Sequence, residues 1–200
     1  MKSVRGWSAV LALAFASCGT PTQRVDPDQD DAVGGTGIDS ADLRATADLM
    51  SRSILGVERI FARGTPYVVV QSPENRTRFQ FDDSIFVQRI VTLLSQNASG
   101  RIQFIDRENW EAIQKERQLK RSGAVSVPTD AQGQPNLAAA PLGTDYLLTG
   151  ILQSISKTTG KAASDYIQAT FRLTDAETGA IVWQDAYDWK KVGSAGVIYR

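Results

Sequence analysis

Apolar residues recur along this chain with two periods, and the change of period divides it into a helical first half and a strand-rich second half. Leu43, Ala47, Met50 and Ile54 fall at i, i+4, i+7 and i+11, one stripe of an amphipathic helix. Asp39 or Ser40 can cap it, so the spacing predicts a helix to Leu55. After Pro66, the unbroken Tyr67-Val68-Val69-Val70 predicts a strand to Gln71 that is buried on both faces. A loop from Ser72 to Arg78 follows. Asp83 or Ser84 then caps a second helix to Asn97, with Val87, Val91 and Leu94 flanked by Phe86, Ile90 and Leu93 as its apolar face. Gly100 ends that helix through its access to positive φ.

A second strand is expected over Arg101 to Ile105, and a third helix from an Asp106 cap to Ser122. Gly123 to Pro141 reads as a long connection, with a short helix at Asn136 to Ala140. The period then becomes two. Tyr146 to Ile155 is a strand. Tyr166 to Leu173 sets Ile167, Ala169, Phe171 and Leu173 against Gln168, Thr170 and Arg172. The turn Asp175-Ala176-Glu177-Thr178-Gly179 leads into Ile181 to Trp189, which closes an antiparallel meander. This order predicts an α+β domain over residues 39–200: a single mixed, largely antiparallel sheet of four to five strands, with helices packed mainly on one face.

What precedes the domain has no such periodicity. Lys2 and Arg5 precede an apolar run from Trp7 to Ala16. The run is far short of the roughly 20 residues that span a bilayer and has the length of an export-signal core. It ends at Phe15-Ala16-Ser17-Cys18-Gly19, similar to the lipobox of bacterial lipoproteins. Residues 1–17 are thus expected to be a signal peptide, with Cys18 taking a lipid anchor. Gly19, where an aspartate would mark retention in the inner membrane, points to the cell outer membrane. Residues 18–38 hold Pro21, Pro27, four aspartates and Gly34-Gly35-Thr36-Gly37, and are expected to be a disordered tether.

Composition narrows the chemistry. Of 22 basic and 22 acidic residues, two basic ones leave with the signal, for a mature formal charge of −2. No basic excess marks a nucleic-acid binder. Histidine is absent, which removes Ser-His-Asp and Cys-His catalysis and the usual zinc sites. The one cysteine is committed to lipid, so no disulfide forms. Among carboxylates, Asp145 and Asp165 flank strands, while Asp175 and Glu177 suit a turn. No pair faces a common substrate. No enzymatic activity, cofactor or metal is expected.

Two features are candidates for binding a partner. Asn75-Arg76-Thr77 follows the end of a buried strand, where Arg76 can meet a carboxylate or Asn75 can simply close a turn. Ile181, Trp183, Tyr187 and Trp189 share one face by alternation, as core or as a contact patch anchored by Trp189. Lys115, Arg117, Lys120 and Arg121 crowd the third helix, either as a docking face or as cations suited to the negative end of its dipole.

Four stretches then carry a family resemblance: Val70-Gln71-Ser72-Pro73-Glu74-Asn75-Arg76-Thr77, Leu94-Ser95-Gln96-Asn97-Ala98-Ser99-Gly100-Arg101-Ile102-Gln103-Phe104, Gly143-Thr144-Asp145-Tyr146-Leu147-Leu148-Thr149-Gly150 and Glu177-Thr178-Gly179-Ala180-Ile181-Val182-Trp183. In this order they resemble the LpoB family of penicillin-binding protein activators. The resemblance implies a non-catalytic outer-membrane lipoprotein that binds a class A penicillin-binding protein and raises its synthesis of peptidoglycan. The best-known members have a long Pro-rich tether, whereas Gly19 to Ile38 here is 20 residues, about 70 Å at full extension. The alternative is a structural or secretion lipoprotein similar to curli-secretion subunits. That would need apolar lipid-facing hairpins, which Gln168, Arg172 and Lys190-Lys191 interrupt.

Overall fold

The computed structural model describes residues 22–30 and 35–194. The signal peptide and Cys18 lie outside the described residues. Among the described residues, three α-helices, α1 (Ser40–Leu55), α2 (Ser84–Asn97) and α3 (Trp110–Ser122), and a 3-10 turn (Glu58–Phe61) accompany six strands: β1 (Tyr67–Val70), β2 (Glu74–Arg76), β3 (Gln103–Phe104), β4 (Tyr146–Thr159), β5 (Ala162–Asp175) and β6 (Ile181–Ser194). The strands form one mixed sheet in the order β3-β1-β4-β5-β6, with β2 paired to the far half of β4. β1 and β2 run parallel to β4, while β4, β5 and β6 are antiparallel. The fold is α+β, as the periodicities implied.

Local chemistry explains the element starts. Asp39 and Asp42 form a reciprocal capping box on α1, with each side chain accepting from the other's backbone N–H at 2.9 and 3.1 Å. Asp83 is the N-cap of α2, but its side chain makes no capping bond; Asp82 instead accepts from Ser84 N at 3.0 Å. Asp106 accepts from Asn109 N at 3.0 Å and so braces the turn ahead of α3, whose N-cap is Asn109, three residues later than expected, with the helix starting at Trp110. Beyond α2, Ser99 shares the left-handed conformation with Gly100. The short helix expected at Asn136 to Ala140 is absent. That connection instead makes a Thr129–Pro135 bridge, closed by Asp130 accepting from Gln132 N and Gln134 N.

The core lies between one sheet face and α1 with α2. Leu43, Ala47, Met50 and Ile54 meet Phe86, Ile90, Leu93 and Leu94, and these meet Val68, Tyr146, Leu148, Leu152, Ala169, Phe171, Leu173 and Trp183. Val91 stays at the margin. Gly150 sits opposite Phe171, and a Cβ there would approach the ring to 2.6 Å; the missing side chain leaves the space that the edge of the Phe171 ring fills. The crossovers β1-α2-β3 and β3-α3-β4 run in opposite directions along the sheet, so the right-handed rule puts α3 on the other side from α2. No residue of α3 is buried. Arg117 and Arg121 donate instead to the carbonyl of Ala138, and Lys120 pairs with Glu116.

The meander is longer than alternation alone indicated. Its strands have 14 residues each, about 45 Å. The hairpin end of β4, Ser156-Lys157-Thr158-Thr159, is polar throughout and carries no alternation, yet it pairs in register with Ala162 to Asp165. A register shift near Leu173 places Ile181 opposite Thr174, so Ile181 leaves the stripe of Trp183, Tyr187 and Trp189 and is exposed.

Candidate partner-binding surface

Asn75-Arg76-Thr77 is not a free loop: Asn75 and Arg76 lie in β2, in register with Leu152 and Gln153 of β4. Alternation turns Asn75 toward the helices and Glu74 and Arg76 toward the opposite face. Asn75 donates through Nδ2 to Phe79 O at 2.9 Å and accepts from Thr77 N and Oγ1 at 2.9 and 2.7 Å. Thr77 Oγ1 accepts in turn from Phe79 N at 3.1 Å. Asn75 and Thr77 thus hold the turn that follows β2. Arg76 is exposed and makes a two-pronged pair with Glu74, at 2.8 and 2.7 Å. The hydrogen bond to Glu74 comes first in raising the Arg76 pKa, and the same bond lowers that of Glu74.

Register extends this polar edge across the sheet face opposite α1 and α2. Arg76, Gln153, Gln168 and Asp188 form one row over four strands, and Ile155, Tyr166 and Lys190 form the next. The face offers donors and acceptors in a line, with aliphatic and tyrosine surface beside them, which suits protein contact better than turnover. Trp189 is not part of it. It registers with Ile167 on the helix side, half-buried, with its ring 5.7 Å from that of Tyr187. Three strand spacings, about 14 Å, and the thickness of the sheet separate it from Arg76.

The model of one protein family, the peptidoglycan-synthase activator LpoB, matches residues 42–188 of the 200. The chain belongs to the LpoB family. Its structure is similar to the LpoB C-terminal domain from Salmonella enterica, at 18% identity and TM-score 0.42 over 74% of this chain and 98% of that one. The solution structure of Escherichia coli LpoB matches at 13% identity and TM-score 0.41, over 96% and 84%. Lipoprotein GNA1162 from Neisseria meningitidis matches at 16% and 0.34, over 64% and 83%. No curated protein sequence matches.

In this LpoB-family chain, charged groups far apart in sequence cluster on the helix side at the hairpin end of the sheet. Asp165, fully buried, accepts from Arg78 Nε and Nη2 at 2.9 and 2.6 Å. Burial opposes ionisation of Asp165, but Arg78, with Ser156 and Thr36, outweighs it and holds the carboxyl below its usual range. Lys191, beside Asp165 in register, donates to Asp39 at 2.6 Å, to Asp42 at 2.5 Å and to Gly37 O at 3.3 Å. Burial opposes the Lys191 charge, and the two carboxylates more than restore it, so its pKa rises. Thr36, within the expected tether, is buried here. A signal existed in the sequence: Asp165 and Lys191 occupy the same parity as Ile167 and Trp189, and a charge on an apolar parity needs a partner.

The remaining candidate carboxylates of this LpoB-family domain brace backbone. Asp145 accepts from Tyr67 N at 2.8 Å, and Asp175 accepts from Glu177 N and Thr178 N at 3.0 and 2.8 Å. Trp183 Nε1 donates to Ser53, whose hydroxyl donates to Asp185.

Proposed function

We propose that this protein is a non-catalytic activator, anchored in the outer membrane through lipid on Cys18, that binds a class A penicillin-binding protein and raises its peptidoglycan synthesis. The family match over residues 42–188 carries the reading. Among the described residues, no helix is long and apolar enough to cross a membrane, and an anchor at Cys18 supplies attachment by another route. The row Arg76, Gln153, Gln168 and Asp188, on the sheet face opposite α1 and α2, is the docking surface. Asn75 and Thr77 fix the backbone there, and Arg76 exchanges Glu74 for a carboxylate of the partner. Trp189 serves packing.

The experiment is the rate of glycan polymerisation by the cognate synthase, with and without the protein from residue 19 onward, which keeps Thr36 in place. Wild type accelerates the reaction, and Arg76→Ala accelerates it less while unfolding at an unchanged temperature. No acceleration by wild type rejects the activator function; equal acceleration by both proteins removes Arg76 from the interface.

A further inference from the structure

Three observations single out the hairpin end of the sheet, where β4 meets β5. The first is where the tether joins. Gly35 and Thr36 lie against β6 at Gly193, where an added Cβ would be 3.8 Å from Thr36 Cγ2 and 3.9 Å from Gly35 O. Gly193 pairs with Ala163, next to the β4–β5 turn. Lys191 clamps Gly37, Asp39 and Asp42 at the same end.

The second is reach. Pro27 O accepts from Ser40 Oγ at 2.8 Å, and Asp28 pairs with Arg44, so Pro27 and Asp28 are held against the start of α1. From Pro27 to Cys18 is nine residues, at most about 30 Å when extended and about 16 Å as a flexible coil.

The third is the surface of that end. On the side opposite α1 and α2, Ile155 and Val192 are 63% and 73% exposed, beside half-exposed Tyr166 and exposed Lys157, Lys161 and Lys190. Aliphatic residues, tyrosine and lysines with long apolar stems are the side chains that suit a lipid headgroup layer. Asp165, Asp39 and Asp42 at this end are turned inward to Arg78 and Lys191, and the one outward acid of the neighbouring row, Asp188, is outnumbered by Lys157, Lys161 and Lys190. Asp26 and Asp30 stay exposed on the tether, so the lysine side, not α1, must face the bilayer.

We propose that the tip formed by Ile155, Lys157, Lys161, Tyr166, Lys190 and Val192 rests on the leaflet that holds the anchor, with anionic phospholipid headgroups as its ligand. The tip then fixes the orientation of the sheet, with the Arg76 row standing off the membrane toward a partner. This rests on the lipid anchor proposed above, and the test supplies that attachment chemically. Protein from residue 18 onward is coupled through Cys18, its sole cysteine, to a maleimide lipid in nanodiscs that carry gadolinium-chelating lipid. Amide relaxation is then mapped by NMR.

With phosphatidylglycerol in the disc, relaxation of amides at Lys157 to Lys161 and at Val192 exceeds that at Gly100 and Glu177. The difference disappears with phosphatidylcholine alone, or in the Lys157→Glu, Lys161→Glu, Lys190→Glu variant. Equal enhancement at both ends, or a pattern indifferent to lipid charge, overturns the proposal and leaves the anchor untouched. Cys18→Ser that still fractionates with membranes overturns the anchor and leaves the nanodisc result standing.

Discussion

Where β4 begins, the inward parity of the three long strands carries Tyr146, Leu148, Leu173 and Trp183, packed against α1 and α2. At the hairpin end the same parity carries Asp165 and Lys191, satisfied by Arg78, Asp39 and Asp42. The same sheet face is therefore closed by apolar burial at one end and by ion pairs at the other. Apolar burial is nondirectional and tolerates small shifts. Buried ion pairs need their partners in place, and a missing partner costs more than the pair contributes. The charged end thus ties residues 35–42, the turn after β2 and the β5–β6 ladder into one arrangement.

The largest effect is expected where burial alone operates. Leu148→Ala, at a position 1% exposed, should cost about 2–5 kcal/mol in denaturant unfolding. Its cost should barely change between pH 4 and pH 7, because no titrating group contacts the cavity.

Arg78→Ala comes next, at about 2–3 kcal/mol near neutrality. That is below the cost of a fully enclosed pair because Arg78 is 28% exposed and water can reach part of its space. Its signature is the pH dependence. In wild type the folded pKa of Asp165 lies below its unfolded value. The stability it contributes is present above about pH 4 and is lost as pH falls through the folded pKa. Without Arg78, burial dominates and the shift reverses, so the variant gains relative stability on acidification. The gap between the two proteins should narrow below pH 4. A gap that stays constant with pH would show that Arg78 acts by packing, not charge.

Between the two ends, Gly150→Ala tests whether the middle of β4 can give way. The added methyl meets Phe171 at 2.6 Å and Pro73 at 3.0 Å, and overpacking should cost about 1–3 kcal/mol. A second change, Phe171→Leu, should recover part of the loss.

This division also separates what the sequence disclosed from what it withheld. The stripe from Leu43 to Ile54 and the alternation of Ile167 to Leu173 appear as read, because each reports a single buried face. β2 did not show itself. Three residues, Glu74, Asn75 and Arg76, have no period, and their pairing with Ile151 to Gln153 is fixed by a strand 75 or more residues away. The hairpin end of β4 was hidden for a related reason: Lys157-Thr158-Thr159 is a strand only because Ala162 to Ser164 pairs with it. Arg76 was read as free to meet a carboxylate or to sit in a turn; its engagement with Glu74 two residues away came only from the strand geometry. The Arg78–Asp165 pair spans 87 positions, and local propensity carries nothing about it.

The smallest effect should distinguish the two tryptophans of β6. Both lie on the inward parity, but Trp183 is 8% exposed at the apolar end and gives its indole N–H to Ser53 at 3.0 Å. Trp189 packs toward the charged end, and among the described residues its buried indole N–H has no acceptor. Trp183→Phe should cost about 1 kcal/mol beyond its loss of contact area, since the bond to Ser53 goes. Ser53→Ala should remove most of that difference by releasing the same bond from the other side. Trp189→Phe sheds a donor that was never satisfied, so the desolvation penalty it relieves offsets the lost ring area. Its melting temperature should fall less than that of Trp183→Phe. An equal or larger fall would mean that the Trp189 N–H does find an acceptor in solution, and that the charged end holds its strands by a further hydrogen bond.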